Sequence, residues 1–280
     1  MSVINQFKTA MLLALLTALF LFIGGLFGRG GLIFALFFVG IMNFFSYFYS
    51  DKIVLWMYKA RQVTEKEAPK LHKMCRELAQ TVGVPMPKVY IIPDKSSNAF
   101  ATGRNPSHAA VAATEGIIDT LTESELKGVL AHEFAHIKNR DILISSVAGT
   151  IAGVISYVSQ MMMWNSMFGG NRENRGNGAA LILVAILAPI LAMIIQLAIS
   201  RSREYIADAA GAKYVGDGKP LADALEKLER SNKIHPMRIG NQGTAHLFIS
   251  NPFSGRGMMA LLSTHPSTSE RVRLLRGMKF

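Results

Sequence analysis

Four apolar runs, set as two close pairs, limit what this 280-residue chain can fold into more than any other feature. The first runs from Met11 to Gly28 (MLLALLTALFLFIGGLFG), and after Arg29, Gly30 and Gly31 the second (LIFALFFVGIMNFFSYFY) extends to Tyr49. The third, ILISSVAGTIAGVISYVSQMMMW, occupies Ile142 to Trp164, and the fourth, AALILVAILAPILAMIIQLAIS, occupies Ala179 to Ser200. Each can cross a hydrocarbon core of about 30 Å as a helix of roughly 20 residues. A long apolar core, a weak basic start at Lys8 and the immediate second run favour a retained hairpin over a cleaved signal peptide. Pro189 in the fourth run is tolerated in a membrane helix. The last two runs also contain Ser, Thr, Gln and Gly, so a long buried hairpin inside a soluble domain stays open for them. Half of all residues are hydrophobic, high for a soluble protein, which agrees with membrane embedding.

The formal net charge of +11 is consistent with nucleic acid, anionic headgroups or topology-setting residues beside membrane spans. The distribution favours the last. Lys52, Lys59 and Arg61 follow the second run and Arg201 and Arg203 follow the fourth, whereas the turn inside the first pair offers only Arg29. The positive-inside rule then places both polar segments and both termini in the cytoplasm, although Arg172 and Arg175 sit in the opposite loop. No nucleic-acid module is recognisable, so no nucleic-acid partner is expected. One cysteine, Cys75, cannot form an internal disulfide, and nothing asks for an oxidising compartment.

Between the pairs, residues 51–141 read as a small α+β unit. Glu65 to Gly83 has the pattern of an amphipathic helix with Leu71, Met74, Cys75 and Leu78 on one side, and KVYIIP (88–93), NAFAT (98–102) and AAVAAT (109–114) read as short strands. Thr122 followed by Glu125 fits a capping box, so ELKGVLAHEFAHIKNR is expected to be helical. That helix carries His132-Glu133-Phe134-Ala135-His136, an HExxH pattern whose four-residue spacing stacks two imidazoles on one face. Two nitrogens can then reach one metal. Zinc suits imidazole and carboxylate ligands and, in a catalytic site, keeps three of them plus an open position. Glu133, next to the first histidine, is placed to act as general base toward a water in that position.

A third ligand is available in SRSREYIAD, where Glu204 and Asp208 are four residues apart and so share a helical face. Glu204 can then bind metal while Asp208 accepts the outer N–H of a ligating imidazole. The alternative is that both pair with Arg201 and Arg203 on a solvated face. HExxH ends just before the third run and Glu204 begins just after the fourth, so an antiparallel hairpin of these runs would bring the two halves together at one membrane surface. His265 and Arg271, in the THPSTSER segment, can stabilise an oxyanion near the metal, or His265 is structural and Arg271 pairs with an acidic residue. His72, His108, His235 and His246 lack ligand spacing and read as ordinary surface or loop residues. Gly240 to Arg256 reads as a loop that either covers the cleft or connects helices.

HEFAHIKNRD, SRSREYIAD, NAFATG and THPSTSER together resemble the HtpX-type membrane metalloproteases, relatives of the CAAX prenyl endopeptidases within the wider gluzincin class. The resemblance covers nearly the whole chain. It implies one Zn2+ per chain held by His132, His136 and Glu204, a catalytic Glu133 and a supporting Asp208. It also implies a multi-pass protein of a bacterial inner membrane whose substrates are unfolded or damaged membrane proteins. In gluzincins, the segment similar to Asn98, Ala99, Phe100 and Ala101 offers a sheet edge along which an extended substrate lies; the alternative is that these strands simply support the active-site helix.

The expected fold is α+β and mostly helical: four transmembrane helices in an integral membrane protein, with a cytosolic zincin-like metalloprotease domain containing a small β-sheet. Residues 1–50 form the first hairpin, 51–141 the first part of the catalytic domain, 142–200 the second hairpin, and 201–280 the second catalytic part. The oligomeric state is not legible in the sequence.

Overall fold

The structure is a computed structural model that describes residues 2–26, 28–151, 201–237, 239–240, 242–253 and 266–280. The chain is mostly helical with a small mixed sheet. In chain order its elements are α1 (Ser2–Leu26), α2 (Gly28–Met57), β1 (Arg61–Gln62), α3 (Pro69–Val82), β2 (Lys88–Ile92), β3 (Ala99–Gly103), β4 (Ala109–Thr114), α4 (Glu115–Thr120) and α5 (Glu123–Asn139). After them come α6, described over Ile142–Ile151, then α7 (Arg201–Val215), α8 (Lys219–Ile234) and α9 (Thr268–Arg276).

The first two apolar runs form the antiparallel pair α1 and α2. α2 is long and apolar enough to cross a membrane, and only 17% of its most apolar stretch is buried. A soluble core helix would hide that stretch; instead Phe34 and Phe37 are 72% and 69% exposed. Thr17 and Asn43 bridge the pair through a 2.9 Å side-chain hydrogen bond, which satisfies polar groups that lipid cannot. The third run begins as α6, where Leu143, Ile144, Val147, Ala148 and Ile151 pack on Leu12 and Leu16 of α1. The rest of that run and the whole fourth run lie outside the described residues.

The helix expected from Glu65 starts at Pro69, because proline occupies the first turn without losing a bonded N–H, and it stops at Gly83 in the left-handed region. The three expected strands form within a residue of their expected bounds. β1, two residues long and without a periodic pattern, joins them in the order β1-β2-β4-β3. β4 runs parallel to β2 and antiparallel to β3, which leaves β3 at one edge. Successive residues point to opposite faces. Thus Ala99, Ala101, Val111 and Ala113 join the core built on α5, while Phe100, Ala110 and Ala112 join Tyr58 and Phe248 on the other face. Alanine-rich strands buried on both faces let α5 settle close to the sheet.

α5 opens with the capping box in full: Thr122 receives the Glu125 N–H and Glu125 receives the Thr122 N–H. Such caps contribute about 1 kcal/mol. α7 lies across α5 at very short range. A Cβ at Gly211 would stand 2.8 Å from His132 N and 3.0 Å from its Cα, so only glycine permits this approach.

Candidate metal centre

α5 and α7 carry the reactive side chains, and the Gly211 contact brings the two helices together at His132. His132, Glu133 and Glu204 are buried. His132 Nε2 and His136 Nε2 face each other at 3.1 Å, and Glu204 places its carboxylate oxygens 3.7 and 3.6 Å from the two rings. One donor atom from each of the three residues lies within 4.8 Å of the others. Donors held about 2.0–2.1 Å from a tetrahedral zinc stand about 3.3 Å apart, and the observed separations bracket that spacing. The residues therefore fit a metal ion.

Each imidazole is held from behind. His132 Nδ1 lies 2.9 Å from Asp208 Oδ1, and His136 Nδ1 lies 3.1 Å from Asp141 Oδ2. Outer contacts of this kind set the tautomer and aim the opposite nitrogen. No local sequence pattern marks Asp141. Its position depends on Arg140, which ends α5 in the left-handed conformation (φ 58°, ψ 33°) and turns the chain back so that Asp141 N–H meets the His136 carbonyl at 3.0 Å. A non-glycine residue in that conformation carries little sequence signal. Arg203 approaches Asp141 at 3.5 Å, while Glu204 and Asp208 are buried and face the histidines rather than solvent.

His132, Glu133 and His136 shift in different directions, and only at His136 do the surroundings favour positive charge. Burial opposes a proton on His136, but Asp141, Glu204 and Glu133 outweigh it and hold the ring at about 9. Burial, with Glu204 adding to it, pushes Glu133 up to about 8 against the pull of His136, Arg271 and the Ala101 N–H. His132 is pushed down by burial, against Asp208.

Glu133 points to the sheet: its Oε2 accepts the Ala101 N–H at 2.7 Å. Of the strand residues named from sequence, Ala101 lines the pocket, whereas Phe100 turns away to pack on Tyr58 and Phe248. The outer edge of β3 is engaged by the chain itself. Ile249 N–H donates to the Ala99 carbonyl at 3.3 Å, and Asn98 Nδ2 donates to the Ser250 carbonyl at 2.6 Å. His246, expected as an ordinary loop residue, is buried and lines the pocket with Leu247, Phe248 and Ile249, its Nε2 lying 3.1 Å from the Ser145 carbonyl. A lone histidine in a loop gave no reason to place it there; the docking of 244–250 on β3 and α6 does so. His265 lies outside the described residues. Arg271 is buried and binds Asp208 with two hydrogen bonds of 2.8 and 2.7 Å, the geometry of the ion-pair alternative rather than of a group facing the pocket.

An HExxH helix crossed by a glutamate-bearing helix, beside a sheet edge, defines a metallopeptidase. Residues 65–279 match the profile of Peptidase family M48, and the chain belongs to that family. It is therefore a metalloendopeptidase, and a membrane-associated one. A protein described as "Protease HtpX homolog" from Syntrophobacter fumaroxidans is 51% identical over 98% of this chain and 99% of its own length. Another of the same description, from Persephonella marina, is 53% identical over 97% of this chain and 96% of its own. Among solved structures, S. mikatae Ste24p shares the fold with a TM-score of 0.53 at 21% identity, over 97% of this chain and 67% of the other.

Proposed function

We propose that this chain is a zinc-dependent endopeptidase of a bacterial inner membrane, with four spans and a cytoplasmic catalytic domain, that hydrolyses peptide bonds of unfolded or damaged membrane proteins. The observation that carries the catalytic reading is the convergence of His132, His136 and Glu204 on one point beside Glu133. Lys59 and Arg61 after α2, and Arg201 and Arg203 at the start of α7, support the orientation, and the "Protease HtpX homolog" relatives support the inner-membrane reading.

His132, His136 and Glu204 would hold one zinc ion. When bound, zinc supplies Lewis acidity that polarises the scissile carbonyl and increases the acidity of water. Glu133 takes a proton from the attacking water and returns it to the leaving amine. Asp208 and Asp141 keep the two rings oriented through the step. An extended substrate pairs with the outer edge of β3, its backbone bonds giving attachment with little demand on sequence. Because Ile249 holds the Ala99 carbonyl and Glu133 holds the Ala101 N–H, that pairing requires the 247–250 segment and the Glu133 carboxylate to yield the edge.

The test is zinc-dependent cleavage of an unfolded protein by the detergent-purified chain, compared with Glu133→Gln at matched metal content. Cleavage by the wild type alone supports both endopeptidase and base. Failure of both, with zinc bound, points to a narrow-specificity processing enzyme of short or lipidated peptides.

A further inference from the structure

Arg271 enters the centre from α9, 63 residues along the chain from Asp208, and is 2% exposed. Its Nε and Nη2 bind the two oxygens of Asp208 at 2.8 and 2.7 Å, and its Nη1 donates to the Ile249 carbonyl at 2.8 Å. Nη1 also stands 3.9 Å from Glu204 Oε2. A planar guanidinium that grips both oxygens removes the carboxylate's freedom to rotate. Asp208 Oδ1 is thereby held where it meets His132 Nδ1. If the carboxylate turned, the imidazole would lose its outer contact, and Nε2 would no longer be aimed at His136 and Glu204.

We propose that Arg271 is a positioning residue of the metal centre: it acts through Asp208 to fix the His132 ring, and its third arm ties that centre to the segment lying on β3. The inference rests on the reading of His132 as a metal ligand. Arg271 makes no claim on substrate in this role. A lysine cannot replace it, because a point-like ammonium does not present the planar fork that spans both Asp208 oxygens and the Ile249 carbonyl.

The experiment measures zinc affinity of the full chain in detergent by chelator competition, and the visible spectrum of its Co2+ form, for wild type, Arg271→Lys, Asp208→Asn and the double variant. Thermal unfolding of each metal-free form shows whether the fold is kept. Lysine retains a buried positive charge for Asp208, so Arg271→Lys is the variant chosen to fold. It should bind zinc about 10–100-fold more weakly and shift the Co2+ bands, as removal of an outer-contact residue does. The double variant should be no weaker than Asp208→Asn alone, because both changes act on one path. In Arg271→Ala, added guanidinium should recover affinity that it does not recover in Asp208→Asn. Wild-type affinity and spectrum in Arg271→Lys, or losses that multiply in the double variant, would overturn the proposal while leaving the metal centre standing. Failure of the wild type itself to bind zinc would instead remove the reading of His132 on which it rests.

Discussion

The carboxylate of Glu133 accepts the backbone N–H of Ala101 at 2.7 Å, so the acid adjacent to the metal-facing histidines is attached to the outer edge of β3. A glutamine keeps an oxygen to accept the same bond but cannot take a proton from water. Glu133→Gln should therefore retain zinc and lose roughly 10²–10⁴-fold in kcat/KM. Metal analysis and peptide cleavage on the same sample check this, and substantial remaining activity would assign the base elsewhere.

The acidic surroundings of His136 raise its proton affinity, to about 9 from an ordinary 6.5. A raised folded value means that the proton's contribution to stability of the metal-free chain is fully present below 6.5 and is lost as pH rises through about 9. Zinc requires the neutral ring, so metal uptake at neutral pH should release protons and tighten as pH rises toward that value. Titration calorimetry in buffers of different ionisation enthalpy reads the release directly. Heats independent of the buffer would show that no proton is displaced.

Gly211 allows α7 to cross α5 with its backbone against His132. A valine there has no room for its Cβ, which would sit 2.8 Å from His132 N. Gly211→Val should destabilise the protein by about 1–3 kcal/mol, as overpacking does, and weaken zinc binding by moving Glu204 away from the histidines. Thermal unfolding and chelator competition test the two effects; an unchanged zinc affinity would show that the centre tolerates separation of the helices.

Cys75 is fully buried in the α3 core, and burial pushes its thiol up to about 12. The thiolate is the reactive form, so the native protein should resist a chromogenic disulfide reagent at neutral pH and react only after denaturation. Rapid native labelling would mean that α3 opens from α5.

The local parts of the site were legible because their physics is local. Four-residue spacing put His132 with His136 and Glu204 with Asp208, and the Thr122–Glu125 box marked where the catalytic helix begins. The two apolar runs of the first pair announced α1 and α2, although α2 continues to Met57, past the end of the apolar stretch, because helical bonding does not stop where hydropathy does. Asp141 escaped because its place depends on one unusual backbone angle at Arg140. His246 escaped because its place depends on where a loop docks.

By itself, the sequence determined the chemistry on offer: two imidazoles and a neighbouring acid on one helix, a second acidic pair on another, and apolar segments suited to a bilayer. Only the tertiary structure decided how these meet. Helical periodicity sets which side chains share a face, but the approach of α7 to α5 depends on the absent side chain of Gly211. The choice of Asp208 as the partner of Arg271, and of Ile249 as the neighbour of Ala99, depends on contacts 63 and 150 residues apart that no local pattern encodes.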